Sequence, residues 1–365
     1  MNPAISPCSG WGSTFGPMAN VAGAATDLAR SMTLLNVFKV PAPVIRRLAG
    51  KPVVVDGVTL DPEMQLLLKL RALEGPPPED LPLSRARRAI VAGSRLVSGR
   101  RPIGSVTDRV IEGPGGELTL RFYTPRGLTG VASTLFFLHG GGWMYGSLES
   151  HDGICRYLAE EAQVRVIAVD YRLAPEHPFP AGFEDAWAAY EWVIEHAKGI
   201  GVDPTRVAVG GDSAGGNFAA VIAQEAVRRG VQAPAFQLLI YPATDFTVER
   251  PSRATYSEGY YLSAKFMEQA RENYLVGDED LADRRLSPLC HDARGVAPAY
   301  VVTAGFDPLR DEGKAYADAL GDAGVPVEYV CHEGLIHSFA HMVGLGRSAP
   351  KAMRKAAAAL QRGLS

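Results

Sequence analysis

From residue 105 onward, the 365-residue chain alternates short, continuous apolar runs with segments of helical periodicity. Continuous apolar runs of this length are typical of strands that are buried on both faces. They lie at 134–138, 164–169, 207–209, 236–240, 300–303 and 327–330. An alternating strand pair precedes them at 105–111 and 118–123, and helical segments separate them at 183–196, 215–229 and 311–323. The alternation predicts an α/β fold with a mostly parallel central sheet flanked by helices.

Two regions fall outside this alternation, and we predict that they form a helical cap. Residues 60–73 and 84–96 carry helical patterns, the first with Asp61 as N-cap and Pro62 at the first helical position. The interval 242–298 has no buried-strand run, and long insertions of this kind are usually functional. Such a cap is expected over the carboxyl ends of the strands, where open α/β sheets bind ligands. The predicted division is 1–100 for the N-terminal extension and cap helices, 101–241 for the first part of the core, 242–298 for the cap insertion and return, and 299–365 for the second part of the core.

The composition excludes several classes of protein. Apolar residues make up 47% of the chain and charged residues 21%, which are ordinary values for a globular domain. A net charge of −3 gives no general attraction for nucleic acid. The N-terminal region lacks the basic start and apolar run of a signal peptide, and no stretch is apolar enough to span a membrane, so we predict a cytoplasmic location. Residues 32–43 (MTLLNVFKVPAP) are a candidate for weak contact with a lipid surface, and packing on the folded body is the alternative.

The candidate nucleophile is Ser213, at the centre of Gly211-Asp212-Ser213-Ala214-Gly215. This pentapeptide lies between a buried-strand run and a helical segment, which is the context of a nucleophile elbow. A turn this tight strains the serine backbone and leaves no room for side chains two residues on either side. The helix that follows directs its positive end towards developing negative charge. We interpret Asp212 as structural support for the turn.

A glycine-rich loop, His139-Gly140-Gly141-Gly142-Trp143, follows the run at 134–138. Acyl transfer places a full charge on the former carbonyl oxygen, and glycines let several backbone N–H groups converge on it. We predict oxyanion donors at Gly141 and Gly142, with a third at Ala214, each worth about 3–4 kcal/mol of transition-state stabilisation. A phosphate-binding loop would need a following Lys-Ser/Thr or a dinucleotide fingerprint, and neither is present. His139 is assigned a structural role, and Trp143 and Tyr145 are candidates for the substrate pocket.

Serine becomes a good nucleophile only when a base removes its proton, and histidine is the usual base. The order serine, acid, histidine leaves His291, His332, His337 and His341. Of these, His337 lies in a loop after the last predicted strand, which is the expected place. His337 and His341 have the spacing of a metal pair, but no HExxH pattern accompanies them, so we expect neither a metal nor a cofactor. A histidine base predicts that activity falls below about pH 6.

Two aspartates are candidates for the acid that orients this histidine. Asp307 directly follows the run at 300–303, and Asp245 follows the run at 236–240. The residues alone leave both open, because a triad acid also occurs one strand earlier. Asp311 and Glu312 come just after Asp307, and we interpret them as charges at the start of the next helix.

These motifs together resemble the hormone-sensitive-lipase-like family of esterases. The resemblance covers roughly residues 55–345 and is carried by HGGGW (139–143), DYRLAPEHPFPA (170–181), GGDSAGGN (210–217), AGFDPLRDEG (304–313) and GLIHSF (334–339). It implies an α/β-hydrolase core with a helical cap, the catalytic residues Ser213, Asp307 and His337, and hydrolysis of short- to medium-chain esters. DYRLAPEHPFPA is interpreted as a hydrogen-bonded turn bracing the glycine loop. The chain departs from the family in its first 50 residues, and Gln269-Ala270 replace an aromatic residue often found in the cap.

Two other functions use the same motifs. An amidase or an acyltransferase would form the same acyl-enzyme. The amidase would differ in the group that leaves the substrate, and the acyltransferase in the nucleophile that accepts the acyl group. Plant gibberellin receptors resemble this family but have lost the catalytic histidine, whereas this chain retains His337 and all three loop glycines. The expected partner is a small-molecule ester.

Overall fold

A computed structural model describes residues 36–73 and 75–365 of the chain. Beyond the small antiparallel hairpin of Val54–Val55 (β1) and Val58–Thr59 (β2), the strands form one sheet. Its strands are Ser105–Gly113 (β3), Gly116–Thr124 (β4), Ala132–Leu138 (β5), Arg165–Val169 (β6), Val202–Asp212 (β7), Phe236–Ile240 (β8), Ala299–Phe306 (β9) and Val327–Ile336 (β10).

The order of the strands in this sheet is β10-β9-β8-β7-β5-β6-β4-β3. All neighbours from β10 to β6 pair in parallel, and only β4 and β3 are antiparallel to their neighbours. The predicted mostly parallel sheet is confirmed. The carboxyl ends of its parallel strands share one edge, so residues that directly follow β5, β7, β9 and β10 lie close together.

Helices connect these strands and cover the sheet. Their bounds are Ala42–Ala49 (α1), Pro62–Arg71 (α2), Leu83–Ser98 (α3), Leu148–Ala162 (α4), Ala181–Glu195 (α5), Ala214–Arg229 (α6), Pro251–Tyr256 (α7), Ala264–Tyr274 (α8), Arg310–Asp322 (α9) and Ser348–Gly363 (α10), with 3₁₀ turns at Pro78–Asp80, Ala197–Ile200, Pro288–Cys290 and Phe339–Met342. The Asp61 carboxylate accepts from the Glu63 N–H at 2.8 Å at the start of α2, which is the predicted N-cap. Within the described residues, no helix has both the length and the apolar character that crossing a bilayer requires.

The core has two parts, one on each face of the sheet. Neighbouring residues of a strand point to opposite faces, so Phe136 belongs to one part and Phe137 to the other. The first part includes apolar side chains of α5, α6 and α9, and the second includes those of α4 and α10. The sheet is therefore covered on both faces, and its carboxyl edge is left for other elements.

One predicted strand differs from expectation. The run at 327–330 was expected to be buried on both faces, but β10 is an edge strand. Val327, Tyr329 and Val330 are only partly buried, and Glu328 is exposed. An apolar run indicates a strand, but it does not give the strand's place in the sheet. An edge strand has a neighbour on one side only, so solvent reaches its other side.

The two regions predicted as a cap contact each other. The Ser263 hydroxyl donates to the Glu79 carboxylate at 2.6 Å, and the Gln269 amide donates to the Glu79 carbonyl at 3.0 Å. The interval 242–298 contains α7 and α8 and no strand, as its sequence predicts. The domain boundaries, the cytoplasmic location and the lipid contact stay predictions, and residues 32–35 of the lipid-contact segment lie outside the described residues.

Candidate active site

Ser213 lies between β7 and α6 in a strained backbone conformation, with φ of 55° and ψ of −118°. Both flanking glycines are required by close packing. A Cβ on Gly211 would lie 2.4 Å from the Leu138 carbonyl oxygen, and one on Gly215 would lie 1.9 Å from the same atom. The turn therefore has the geometry of a nucleophile elbow, and the serine side chain is held at the carboxyl edge of the sheet.

Ser213, His337 and Asp307 form a continuous hydrogen-bonded chain. His337 Nε2 lies 3.1 Å from Ser213 Oγ, and His337 Nδ1 lies 2.7 Å from Asp307 Oδ2. Asp307 follows β9 and is fully buried, where the Leu309 N–H donates to its other oxygen at 2.8 Å. His337 follows β10 and is buried. Three strand ends on the same edge of the sheet, those of β7, β9 and β10, thus supply a hydroxyl, a carboxylate and an imidazole, connected in the order that proton transfer needs.

The other candidates lie in different surroundings. The Asp245 carboxylate accepts from the Thr247 N–H and hydroxyl at 2.9 and 2.6 Å and from Arg250 at 3.1 Å. His291 Nε2 contacts the Ala282 carbonyl at 2.6 Å. His332 points away on β10, where burial lowers its pKa to about 4. None of these side chains contacts Ser213 within the described residues.

The glycine loop presents free N–H groups beside the serine. Gly141 and Gly142 have φ of 119° and 60°, a region that side chains disfavour. Neither N–H donates a hydrogen bond within residues 36–73 and 75–365. Ala214 is the first residue of α6, so its N–H has no partner inside the helix. The Gly140 N–H, by contrast, donates to Asp212 Oδ1 at 2.9 Å. The N–H groups of Gly141 and Gly142 therefore have no partner in the described part of the chain, and the role of Gly141, Gly142 and Ala214 as oxyanion donors stays a prediction.

The segment 170–181 holds the glycine loop in place through hydrogen bonds and ring stacking. The Tyr171 hydroxyl donates to the His139 carbonyl at 2.6 Å, and the Tyr171 ring stacks on the His139 ring at 4.1 Å. The Ala174 N–H donates to the Trp143 carbonyl at 2.9 Å. Arg87 of α3 donates to the Met144 carbonyl at 2.9 Å and so joins the cap to the same loop. The expected bracing turn is present.

Trp143 and Tyr145 pack against the cap. The Trp143 ring stacks on Tyr274 of α8 with centroids 4.7 Å apart, and the Tyr145 ring lies 5.3 Å from Phe266. Helix α8 sits so close to the loop that a Cβ on Gly142 would lie 2.9 Å from the Ala270 Cβ. The small residue at 270 is what allows this approach. The role of Trp143 and Tyr145 in the substrate pocket stays a prediction.

A family model described as the alpha/beta hydrolase fold matches residues 135–341, more than half of the chain. The chain belongs to this family of α/β-hydrolases. This hydrolase is 42% identical over 338 residues to the carboxylic ester hydrolase LipN of Mycobacterium tuberculosis, with 89% of each chain covered. It is 39% identical over 300 residues to an ethyl acetate hydrolase of Pseudomonas putida, covering 79% of this chain and 92% of that one.

Solved structures agree with the curated relatives. An ester-hydrolase from the metagenome of Lake Arreo, complexed with a derivative of bipyridine phosphonate, matches with a TM-score of 0.81 and 44% identity, covering 83% of this chain and 98% of that one. A hyperthermophilic esterase from Pyrobaculum calidifontis matches with a TM-score of 0.78 and 38% identity, covering 82% and 96%. The α/β-hydrolase is therefore a carboxylic ester hydrolase of the hormone-sensitive-lipase-like type, as its motifs predicted.

Asp311 and Glu312 were interpreted as helix-start charges, and both lie in the first turn of α9. Glu312 is also a buried structural residue. It is 4% exposed, and its carboxyl accepts from the Thr244 N–H at 2.8 Å. Burial raises the pKa of Glu312 to about 8 from its ordinary value of 4.5. The folded hydrolase therefore binds a proton here that the unfolded chain releases above about pH 4.5.

This difference predicts that Glu312 lowers the free energy of unfolding progressively as the pH rises from about 4.5 towards 8. Glu312→Gln keeps an oxygen for Thr244 and removes the ionisation, so the variant is expected to lose less stability than the wild type over this range. Denaturant unfolding at about pH 5 and pH 8 measures it. Asp311→Asn is the matched control. Burial would raise the pKa of Asp311, but hydrogen bonds from Arg310 and Ser252 outweigh it and lower this pKa below its ordinary value of 3.8. Asp311 is therefore ionised at both pH values, and its replacement should leave the pH dependence between them unchanged. Identical pH dependence in Glu312→Gln and the wild type would contradict the assignment.

Sequence reasoning missed a second polar cluster behind the elbow. His151 of α4, Asp212 and His341 are all buried. One ring nitrogen of each histidine and one carboxylate oxygen of Asp212 lie within 4.8 Å of one another. Ser150 Oγ lies 2.8 Å from His151 Nδ1, so Ser150, His151 and Asp212 imitate a triad. Ser150 is only 2% exposed and caps α4, however, so a substrate carbonyl has no approach to it. A lone histidine in a helix gave no signal in the sequence that would identify this cluster.

Proposed function

We propose that the hydrolase is a serine carboxylesterase that cleaves short- to medium-chain esters through an acyl-enzyme. The observation that carries the proposal is the pair of distances from His337, 3.1 Å to the Ser213 hydroxyl and 2.7 Å to the Asp307 carboxylate. In this proposal Ser213 is the nucleophile, His337 the general base and acid, and Asp307 the group that fixes the imidazole tautomer.

The first half-reaction forms the acyl-enzyme. His337 Nε2 takes the proton of Ser213 Oγ as that oxygen attacks the ester carbonyl, and the carbonyl oxygen becomes an anion. The N–H groups of Gly141, Gly142 and Ala214 bind this anion. When the intermediate collapses, the bond to the alkoxy group breaks and His337 gives its proton to the departing alcohol.

The second half-reaction repeats the sequence with water. His337 removes a proton from the water that attacks the acyl carbonyl, and it then returns the proton to Ser213 as the carboxylic acid leaves. An acyltransferase would use an alcohol at this step, and an amidase would expel an amine at the first. Hydrolysis is favoured because the chain is 42% identical over 338 residues to LipN, which is named as a carboxylic ester hydrolase.

The cap supports a preference for short or medium acyl chains. Ala270 and Phe266 of α8 lie directly over Gly142, at distances that leave no space for even one added carbon. An acyl chain that leaves the oxyanion site in this direction would meet the cap. A series of nitrophenyl esters of increasing acyl length tests the proposal. We expect kcat/KM to be highest for short or medium chains, whereas a maximum at long chains would indicate a lipase.

The choice of acid gives a separate prediction. Asp307→Asn removes the charge beside His337 and allows the wrong tautomer, so kcat is expected to fall by about 10⁴-fold. Asp245→Asn is the matched control, since its side chain contacts Thr247 and Arg250 instead of the histidine. Initial rates on an activated acetate ester measure both variants. Near-full activity in Asp307→Asn together with inactive Asp245→Asn would assign the acid to Asp245.

A further inference from the structure

The side chain of Asp212 points away from its neighbour Ser213 and into the buried cluster. Asp212 Oδ1 accepts from the Gly140 N–H at 2.9 Å and lies 3.1 Å from His151 Nε2. Asp212 Oδ2 accepts from the Tyr241 hydroxyl at 3.4 Å and lies 3.7 Å from His341 Nε2. The carboxylate is 2% exposed. A buried carboxylate is costly unless it is paired, so these contacts fix where it lies.

The groups around this carboxylate come from separate elements of the active site. Gly140 belongs to the oxyanion loop, and Asp212 is the last residue of β7 before the nucleophile. His341 lies in the 3₁₀ turn four residues after His337, and its ring meets the His151 ring edge-on at 4.5 Å. The cluster therefore connects the loop that offers N–H groups, the strand that carries the serine and the segment that carries the base.

The contact between Asp212 and Gly140 is too close to allow independent movement. A Cβ on Gly140 would lie 2.6 Å from Asp212 Oδ2 and 2.7 Å from the Asp212 carbonyl oxygen. Asp212 therefore both contacts Gly140 and accepts its N–H, and Gly140 directly precedes Gly141 and Gly142 in the loop. Oxyanion donors act only when they are already aligned with the developing charge, and displacements of about 1 Å can cost 10²-fold in rate.

We propose that His151 is a positioning residue, which holds the Asp212 carboxylate against Gly140 and so aligns the oxyanion amides, with His341 packed behind it. The inference rests on the proposed function, because it requires that Gly141 and Gly142 bind the oxyanion. His151 never touches the substrate in this account. It acts through Asp212 and Gly140, because its Nε2 lies 3.1 Å from Asp212 Oδ1 and 3.2 Å from the Gly140 nitrogen, whose N–H both groups face.

The same three side chains have a spacing that would suit a metal ion, and the hydrogen bonds favour the positioning role. Asp212 Oδ1, the oxygen nearest His151, already accepts the Gly140 N–H. A metal on that oxygen would compete with this bond and release the oxyanion loop. The expected absence of a metal stays a prediction, and the experiment below includes its measurement.

The test uses the full-length enzyme with His151→Leu, His151→Gln and His341→Leu, and His332→Leu as a control histidine outside the cluster. The glutamine amide reaches the position of Nε2 and can still donate to Asp212. For each variant, kcat and KM on nitrophenyl acetate are measured per active site titrated with a phosphonate. Affinity for an alkyl boronic acid is measured as well, because its adduct with a serine places an oxygen among the oxyanion donors.

The expected result for His151→Leu is a kcat about ten- to a hundredfold lower, with KM little changed and boronic acid affinity reduced by a similar factor. His151→Gln is expected to recover most of both losses, and His332→Leu to lose neither. A structural role alone would lower the melting temperature but leave kcat per titrated site unchanged, and that result would overturn the proposal. A stoichiometric metal in the wild type that His151→Leu lacks would also overturn it.

Two further readouts keep the test decisive. If His151→Leu does not fold, the comparison of His341→Leu with His151→Gln decides. A lower kcat in the first and a near wild-type value in the second supports the proposal, and unchanged kcat in both contradicts it. Failure of the proposed function is separate, since it would appear as a wild-type enzyme that the phosphonate does not modify at Ser213.

Discussion

Ser213→Ala is expected to reduce ester hydrolysis by about 10⁶-fold in kcat, to the level that binding and the oxyanion donors give without a nucleophile. The hydroxyl oxygen is the atom that forms the acyl bond, so no neighbouring group replaces it. The fold is expected to survive, because the variant keeps the Cβ and the backbone strain at φ of 55° is the same for alanine and serine. Initial rates on an activated acetate ester and the melting temperature measure the two effects.

Ser150→Ala is the control for this prediction. Ser150 also lies beside a histidine and, through it, a carboxylate, at 2.8 Å from His151 Nδ1. It is the buried N3 residue of the capping box of α4, where its hydroxyl accepts from the Ser147 N–H, so its loss is expected to cost about 1 kcal/mol of stability and to leave turnover in place. If Ser213→Ala were active and Ser150→Ala were folded but inactive, the nucleophile would be Ser150, and the assignment of Ser213 would be wrong.

His337→Ala is expected to have an effect of the same order, about 10⁴- to 10⁶-fold in kcat. The serine hydroxyl loses the base that takes its proton, and the departing alcohol loses its acid. His337 connects both partners, at 3.1 Å to Ser213 Oγ and 2.7 Å to Asp307 Oδ2. A rate assay with the ester used for Ser213→Ala gives the comparison directly, and circular dichroism verifies the fold.

His332→Ala is the matched control, because His332 lies five residues before His337, on the strand β10 that His337 follows. The pKa of His332 is lowered to about 4 by burial and by Lys355 and Lys351, so it is neutral near pH 7. It packs against Phe339 with ring centroids 5.9 Å apart and has no contact with Ser213 within the described residues. We expect His332→Ala to keep most of its activity. Equal losses of activity in His332→Ala and His337→Ala would mean that the loss comes from disturbing this segment of the fold, and would contradict the role of the His337 imidazole as the base.

The fold and the elbow could be predicted from the sequence because their physical signals are local. Buried strands appear as continuous apolar runs, and the strained turn at Ser213 requires glycine at fixed positions on either side. The contacts at Gly211 and Gly215 are with the Leu138 backbone of the neighbouring strand. A contact between two strands therefore requires glycine at both positions of the short motif. This is why a local sequence pattern is enough to identify the elbow.

The choice between Asp307 and Asp245 shows where local signals end. Both follow parallel strands, so the topology brings both to the same edge of the sheet. Their side chains then meet different neighbours, His337 for one and Arg250 for the other. Only the resemblance to a family separated them, because spacing along the chain gives no information about which partner a side chain finds across the edge.

The cluster around Asp212 could not be predicted for a related reason. His151 is a single histidine in the first turn of a helix, and the sequence marks His341 only as a candidate base and as a residue with metal-pair spacing from His337. The two histidines meet because helix α4 contacts the 3₁₀ turn Phe339–Met342. This contact joins segments that are far apart in the sequence, so no local pattern predicts it. The adjacent residues Ser213 and Asp212 contact different partners, His337 and Gly140, so one strand end supplies both the proposed nucleophile and the proposed contact that positions the glycine loop.

Mass spectrometry of the enzyme after reaction with a fluorophosphonate probe tests the central claim most directly. The probe reacts with a serine only when a base activates it and amide donors bind its phosphoryl oxygen. We predict one adduct per chain, on the peptide that contains residue 213, with ester hydrolysis lost in proportion to labelling. A folded enzyme that hydrolyses esters while residue 213 stays unmodified would contradict the account.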